Sequence, residues 1–136
     1  MGSTKFKLLV CLFILGGSTI AQATCLRSVS EIKANGIKAS WQETTENDGK
    51  PLTIVFTDGA NGLVYSASKA GKPWLTGRVS ICRSGNATTI TLKNTKATGN
   101  VPVLARMGLP STQSASIVNN QIKLTGGGWG GTFVGG

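Results

Sequence analysis

The sequence predicts an all-β domain: a small antiparallel up-and-down β-barrel or a two-sheet sandwich of roughly seven or eight strands, with a short N-terminal helix. Segments in which apolar and polar residues alternate recur about every ten residues along the chain. Gly, Asn and Pro residues separate these segments and predict turns between them. Because the turns are short and consecutive hairpins close directly into a barrel, the barrel is favoured over the sandwich.

Residues 1–23 have the three-part layout of a secretory signal peptide. Two lysines near the N-terminus precede an apolar run at residues 8–15, and a small-x-small triplet follows at residues 21–23. The alternative, a membrane anchor, fits less well, because a spanning helix needs roughly 20 apolar residues. The sequence therefore predicts cleavage after Ala23 and a single secreted or periplasmic domain at residues 24–136 without a transmembrane segment. The short signal suits a bacterial source.

The first predicted element of the domain is a short helix at residues 24–35. Ser28 and Glu31 have the spacing of a capping box, and Gly36 suits the end of a helix. After Gly36 the apolar period changes to two, as in Ile37 and Trp41, and strands are expected. The predicted strands lie at residues 37–46, 52–58, 63–69, 74–83, 87–94 and 101–107, followed by a hairpin or bulged strand at residues 116–124 and a glycine-rich segment at residues 126–136.

Two cysteines, Cys25 and Cys82, remain after signal cleavage removes Cys11. An even pair in an exported protein predicts one disulfide bond. Two free thiols or a pair of metal ligands are the alternatives. Because the chain has no histidine and few acids, no metal site and no cofactor are expected.

The charges are distributed unevenly along the chain. The formal net charge is +9, and all five acidic residues lie before Gly59. Eight cations and no carboxylate side chain follow Gly59. A segment with charges of one sign creates a field that attracts anions. The sequence therefore predicts an anionic partner.

Residues 68–86 contain four of these cations and no acidic residue. On strand geometry Arg78 shares one face with Trp74, opposite the aliphatic face of Leu75 and Val79. Tryptophan beside arginine offers stacking and charge-assisted hydrogen bonds to an anion. The predicted ligand-binding residues are Lys69, Lys72, Trp74, Arg78, Arg83, Lys93, Lys96 and Arg106.

The leading functional prediction is a secreted basic binding module that docks an anionic ligand or surface. Lipid headgroups, lipopolysaccharide, an acidic glycan or an acidic protein would each provide the negative charge. Nucleic acid is not expected, because the chain has an export signal and no nucleic-acid-binding motif. An enzyme is not expected either, since the most common general base, histidine, is missing.

Two further functional hypotheses stay open. The first is a carrier whose barrel encloses a small apolar ligand, with Trp41, Phe56, Tyr65 and Met107 lining the cavity. A helix followed by a strand with an early tryptophan is similar in outline to the lipocalin and avidin barrels, although no diagnostic motif of either family is present. The second is an inhibitor of an enzyme, or an enzyme that works without histidine. The oligomeric state is left open.

Overall fold

The computed structural model describes residues 24–44, 50–124 and 131–136. The predicted signal peptide at residues 1–23, the acids Glu46 and Asp48, and Trp129 lie outside the described residues. The strands and helices are β1 (Thr24–Leu26), α1 (Val29–Ala34), β2 (Ser40–Glu43), β3 (Leu52–Gly59), β4 (Gly62–Lys69), β5 (Lys72–Ser84), β6 (Ala87–Ala97), α2 (Val103–Met107), β7 (Gln113–Ser116), β8 (Gln121–Leu124) and β9 (Gly131–Gly135).

The strands form a nearly closed antiparallel barrel. Strands β2 to β7 are neighbours in chain order, and β9 returns to pair with β2 while β8 pairs with β9. The remaining seam between β7 and β8 is bridged by Val118 opposite Gln121. Asn119 and Asn120 between them have φ values of 52° and 58°, as a tight hairpin turn of this kind requires. The predicted up-and-down barrel is therefore confirmed.

The barrel interior is filled by the alternating apolar residues of the strands. Trp41, Phe56 and Phe133 are among the largest fully buried side chains. The other buried strand residues include Leu52, Ile54, Leu63, Tyr65, Ala67, Leu75, Val79, Ile81, Ile90, Leu92, Ile122 and Leu124. The period of two predicted the inward face of β3 to β6 correctly, because one face of each strand packs on the core.

The prediction of a strand at residues 101–107 is wrong. This segment contains helix α2, which begins after Pro102 and ends before Gly108. Proline has no N–H to donate to a sheet ladder, and the Leu-Ala-Arg-Met sequence that follows has high helix propensity. Met107 is 79% exposed, so it does not line the barrel interior as the carrier hypothesis expected.

The N-terminal segment is partly as predicted. Ser28 caps α1 by accepting the Glu31 N–H at 3.1 Å, and Gly36 follows the helix with φ 77°. Residues 24–26 are not helical, however, and instead form β1, which pairs with β5. Cys25 lies directly opposite Cys82 in this ladder, and the predicted disulfide joins them.

The two ends of the barrel are distinct. The α1 end contains β1, α1 and the turns at residues 60–61, 85–86 and 119–120. The α2 end contains the turn at residues 70–71 and the connection at residues 98–112 that carries α2. Within the described ranges, no helix is both long and apolar enough to cross a membrane.

Candidate functional site

Three cations share the outer face of strands β5 and β6. The register places Arg78 opposite Lys93 and Thr76 opposite Lys96. Val79, which follows Arg78, is buried, so Arg78 and its partners point outward. Side chains directly opposite in antiparallel strands have Cβ atoms about 4.5–5.5 Å apart. We call Arg78, Lys93 and Lys96 the basic wall.

A bulge in the β5–β6 ladder lies beside the Arg78–Lys93 pair. Gly77 stands at this position, and a Cβ atom there would lie 2.6 Å from Tyr65 Cε1 and 2.7 Å from the Lys93 carbonyl oxygen. Asn94 on the partner strand has φ 52°. Bulges bend strands and redirect side chains, and here glycine is the residue that fits the close approach.

Two surface grooves adjoin the basic wall. The larger has a volume of about 510 Å³ and is lined by Arg78 and Lys96. Its other polar side chains include Thr57, Ser66, Thr76 and Asn94. The smaller, about 160 Å³, is lined by Arg27, Arg78 and Lys93. Arg78 therefore contributes to both grooves.

The basic wall has donor groups that no described residue uses. Arg78 Nη2 donates to the Asn61 carbonyl oxygen at 2.9 Å, which uses one of the five guanidinium N–H groups. The side chains of Lys93 and Lys96 make no hydrogen bond or ion pair with any described residue. The hydroxyl groups of the larger groove add neutral donors. This combination suits phosphate, sulfate or carboxylate oxygens.

The described carboxylates lie away from this face. Glu31 accepts the Arg27 N–H at 2.5 Å, Glu43 accepts the Leu52 N–H at 3.0 Å, and Asp58 accepts the Val29 N–H at 2.8 Å. Because successive side chains of a strand point to opposite faces, Glu43 and Asp58 do not share the outer face of their strands. Over residues 24–44, 50–124 and 131–136, no carboxylate lies on the outer face of β3 to β7, and no group of three or more His, Cys, Asp or Glu could hold a metal.

Three predicted site residues lie at the α2 end. Lys69 is opposite Lys72 across the β4–β5 hairpin. The Lys69 Nζ atom lies 5.0 Å from the centroid of the Trp74 ring, within cation–π range. Trp74 is half-buried and packs against the core. Helix α1 lies at the opposite end of the barrel from Trp74.

Two predicted site residues make local contacts outside the basic wall. Arg106 donates from Nε to the Val101 carbonyl at 3.0 Å and from Nη2 to the Thr98 carbonyl at 3.2 Å, within the connection that carries α2. Arg83 lies at the α1 end, where its Nη1 donates to Asn35 Oδ1 at 3.3 Å. The eight predicted residues thus separate into the basic wall, the α2 end and Arg83.

Sequence reasoning missed two cations near these groups. Arg27 lines the smaller groove, because β1 pairs with β5 beside the position where β4 begins. Lys50 precedes β3 at the α2 end. The alternation pattern could not reveal the pairing of a three-residue strand. Arg27 is also close in sequence to the Glu31 carboxylate that its own N–H contacts, so its side of the groove is less positive.

Tyr65 lies beneath the larger groove and is the single tyrosine of the chain. Burial raises the pKa of Tyr65 above 10.0, while its hydrogen bond with Thr95 acts in the opposite direction. The hydroxyl is therefore neutral at physiological pH. Its bond to Thr95 joins β4 to β6 across the bulge.

No protein family, curated protein or solved structure matched the chain in three comparisons. The function proposed below is therefore based on the residues and geometry of this chain.

Proposed function

We propose that the protein is a binding module, without catalytic activity, that holds an anionic ligand along the basic wall. The observation that supports this most strongly is the placement of Arg78 directly opposite Lys93 on an outer face where the described residues include no carboxylate. Like charges directly opposite each other destabilise a strand pair. A bound anion would remove this repulsion.

The arrangement of the grooves favours a ligand with more than one acidic group. Arg78 contributes to both grooves, and Lys93 and Lys96 extend them in opposite directions along β6. Acidic groups spaced along a glycan or a lipopolysaccharide headgroup would contact the grooves together. A single small anion would use only one of them.

Export is part of the same proposal. The Cys25–Cys82 disulfide is typical of proteins in oxidising compartments. Together with the predicted signal at residues 1–23, it supports a secreted or periplasmic location, where acidic glycans and lipid headgroups are accessible. Mass spectrometry of the protein recovered from the periplasm or medium tests cleavage after Ala23.

The binding test uses heparin as a soluble polyanion. We expect the purified protein to bind heparin at low salt and to lose binding as salt rises, because exposed charges are screened beyond about 8–10 Å near physiological ionic strength. The double substitution Arg78→Gln and Lys93→Gln should weaken binding by at least about tenfold, since each charge-assisted hydrogen bond contributes roughly 1.5–3 kcal/mol.

The matched control removes two cations elsewhere. Lys33 is on α1 and Lys123 is on β8, and both are exposed. Lys33→Gln with Lys123→Gln changes the net charge equally and should alter heparin affinity by less than about twofold. Equal losses in the two double variants would show attraction by net charge alone and would overturn the proposed site.

A further inference from the structure

The α2 end carries an apolar protrusion that the fold does not require. Val103, Leu104 and Met107 are 70%, 82% and 79% exposed. Val103 and Met107 are four residues apart on the helix, and Leu104 is adjacent, so the three form one continuous surface. Single exposed apolar residues are ordinary, whereas a contiguous group indicates an interaction surface.

The opposite side of α2 holds the helix to the barrel. Ala105 packs against the hydrophobic core. Arg106 donates to the carbonyls of Val101 and Thr98. The connection is tied in turn to the start of β5, since the Thr98 N–H donates to the Trp74 carbonyl at 2.8 Å. These contacts hold one side of α2 against the barrel and leave Val103, Leu104 and Met107 exposed to solvent.

Cations and an aromatic ring lie beside this protrusion. Asn100 Nδ2 donates to the Pro73 carbonyl at 2.8 Å, which places the connection against the residue that follows Lys72. Lys69 lies over the Trp74 ring in the same hairpin. Lysine side chains near a bilayer attract anionic headgroups, and tryptophan favours the interface between headgroups and acyl chains.

We propose that the α2 end docks on an anionic lipid bilayer, with Val103, Leu104 and Met107 inserted among the acyl chains. Lys69, Lys72 and Trp74 then lie at the level of the headgroups. A bilayer fits a convex apolar surface beside cations, because it accepts inserted side chains without a complementary cavity. This docking surface is separate from the proposed ligand site on the basic wall. It consists of different residues and lies at the α2 end of the barrel, not on the outer face of β5 and β6.

The described carboxylates are compatible with this orientation. Glu43 is the described acid at the α2 end, and it is half-buried with one oxygen accepting the Leu52 N–H. Asp58 contacts the start of α1, at the opposite end of the barrel. The Arg78–Lys93 pair lies part-way along β5 and β6, away from the α2 end, so it remains accessible when this end meets a membrane.

The test measures co-sedimentation with vesicles of phosphatidylcholine alone and of phosphatidylcholine mixed with phosphatidylglycerol. We expect clearly stronger binding to the mixed vesicles. Leu104→Ser with Met107→Ser should weaken that binding by about tenfold, because membrane affinity rises with the apolar surface inserted. Lys69→Gln with Lys72→Gln should reduce the preference for phosphatidylglycerol and leave the weak binding to phosphatidylcholine unchanged.

The matched apolar control is Val118→Ser, because Val118 is 61% exposed in the region of the α1 end. It should change vesicle binding by less than about twofold. Equal binding by the Leu104/Met107 variant and the unaltered protein would overturn the proposal. Absence of vesicle binding would also overturn it, as would a dimer in sedimentation that the Leu104/Met107 variant abolishes.

The outcomes separate this proposal from the ligand site on the basic wall. Arg78→Gln with Lys93→Gln should lose heparin binding while keeping acyl-chain insertion, monitored by quenching of tryptophan fluorescence with lipids brominated on their acyl chains. The Leu104/Met107 variant should lose quenching and keep heparin binding. Quenching unchanged by Leu104→Ser and Met107→Ser would contradict insertion even if the basic wall binds heparin as proposed.

Discussion

The two short helices of this barrel differ in what they do with their apolar residues. Helix α1 has a side-chain cap from Ser28, is followed by Gly36 in a left-handed conformation, and buries Ile32 completely. Helix α2 has no side-chain cap and no buried residue. The segment before α1 is also fixed to β5 by the Cys25–Cys82 disulfide.

This difference separates the apolar residues that contribute to the stability of the fold from those that do not. Ile32 is accounted for by the core, since removing its side chain from water favours folding. The same principle gives no reason for Leu104 and Met107 to be apolar, because they remain exposed. The proposed docking on a bilayer would account for their apolar character.

The largest expected effect comes from removing the disulfide at the α1 end. Cys25→Ala with Cys82→Ala opens a link between residues 57 positions apart. The chain-entropy relation predicts a loss of about 4 kcal/mol in the free energy of unfolding. Urea unfolding measures this loss, and hydrogen exchange should show the largest loss of protection in β1 and α1. A loss below about 1 kcal/mol would show that packing alone secures this end.

The next effect compares the two helices directly. Ile32→Ala should lower the free energy of unfolding by about 3 kcal/mol, because it leaves a cavity in the core. Leu104→Ala removes the same number of carbon atoms from an exposed site and should change stability by less than about 0.5 kcal/mol. Thermal unfolding of both variants checks the contrast, which fails if the two losses are similar.

The smallest effect concerns Tyr65, which lies between the two ends. Burial raises its pKa in the folded state above the ordinary value of 10.0. Its contribution to stability is therefore fully present below about pH 10 and is lost as the pH rises through the folded-state pKa. Because the chain has one tyrosine, the ultraviolet absorbance of tyrosinate reports on Tyr65 alone.

Tyr65→Phe is the control for this pH dependence, since lysines also titrate in that range. The variant should lose about 1 kcal/mol at neutral pH, because the hydrogen bond with Thr95 is removed. Its stability should then decline less steeply than that of the unaltered protein in alkaline urea titrations. Parallel curves for the two proteins would contradict a raised pKa for Tyr65.

The barrel was predictable because its information is local. Residues such as Ile90 and Leu92 alternate with polar neighbours, so the buried face of each strand can be identified from that strand's own sequence. The helix at residues 103–107 was not predictable from alternation, because Val101, Val103, Ala105 and Met107 match a strand pattern by coincidence. Pro102 was the local signal against a strand there.

The candidate site was predictable in part. The shared outward direction of Trp74 and Arg78 follows from strand parity, although Trp74 turned out to be half-buried. The placement of Lys93 opposite Arg78 depends on a bulge whose position the alternation pattern does not specify. Arg27 lines the smaller groove because it directly follows β1, and β1 is too short to give a periodic signal in the sequence.

By itself, the sequence determined the excess of cations and indicated an antiparallel β domain. It favoured a barrel over a sandwich and one disulfide over free thiols, because charge counts, periodicity and turn residues are local properties of the chain. Only the tertiary structure decided which cations face one another and which apolar residues remain in solvent. Register and exposure depend on contacts between distant segments, and in this chain such contacts separate the basic wall from the apolar protrusion at the α2 end.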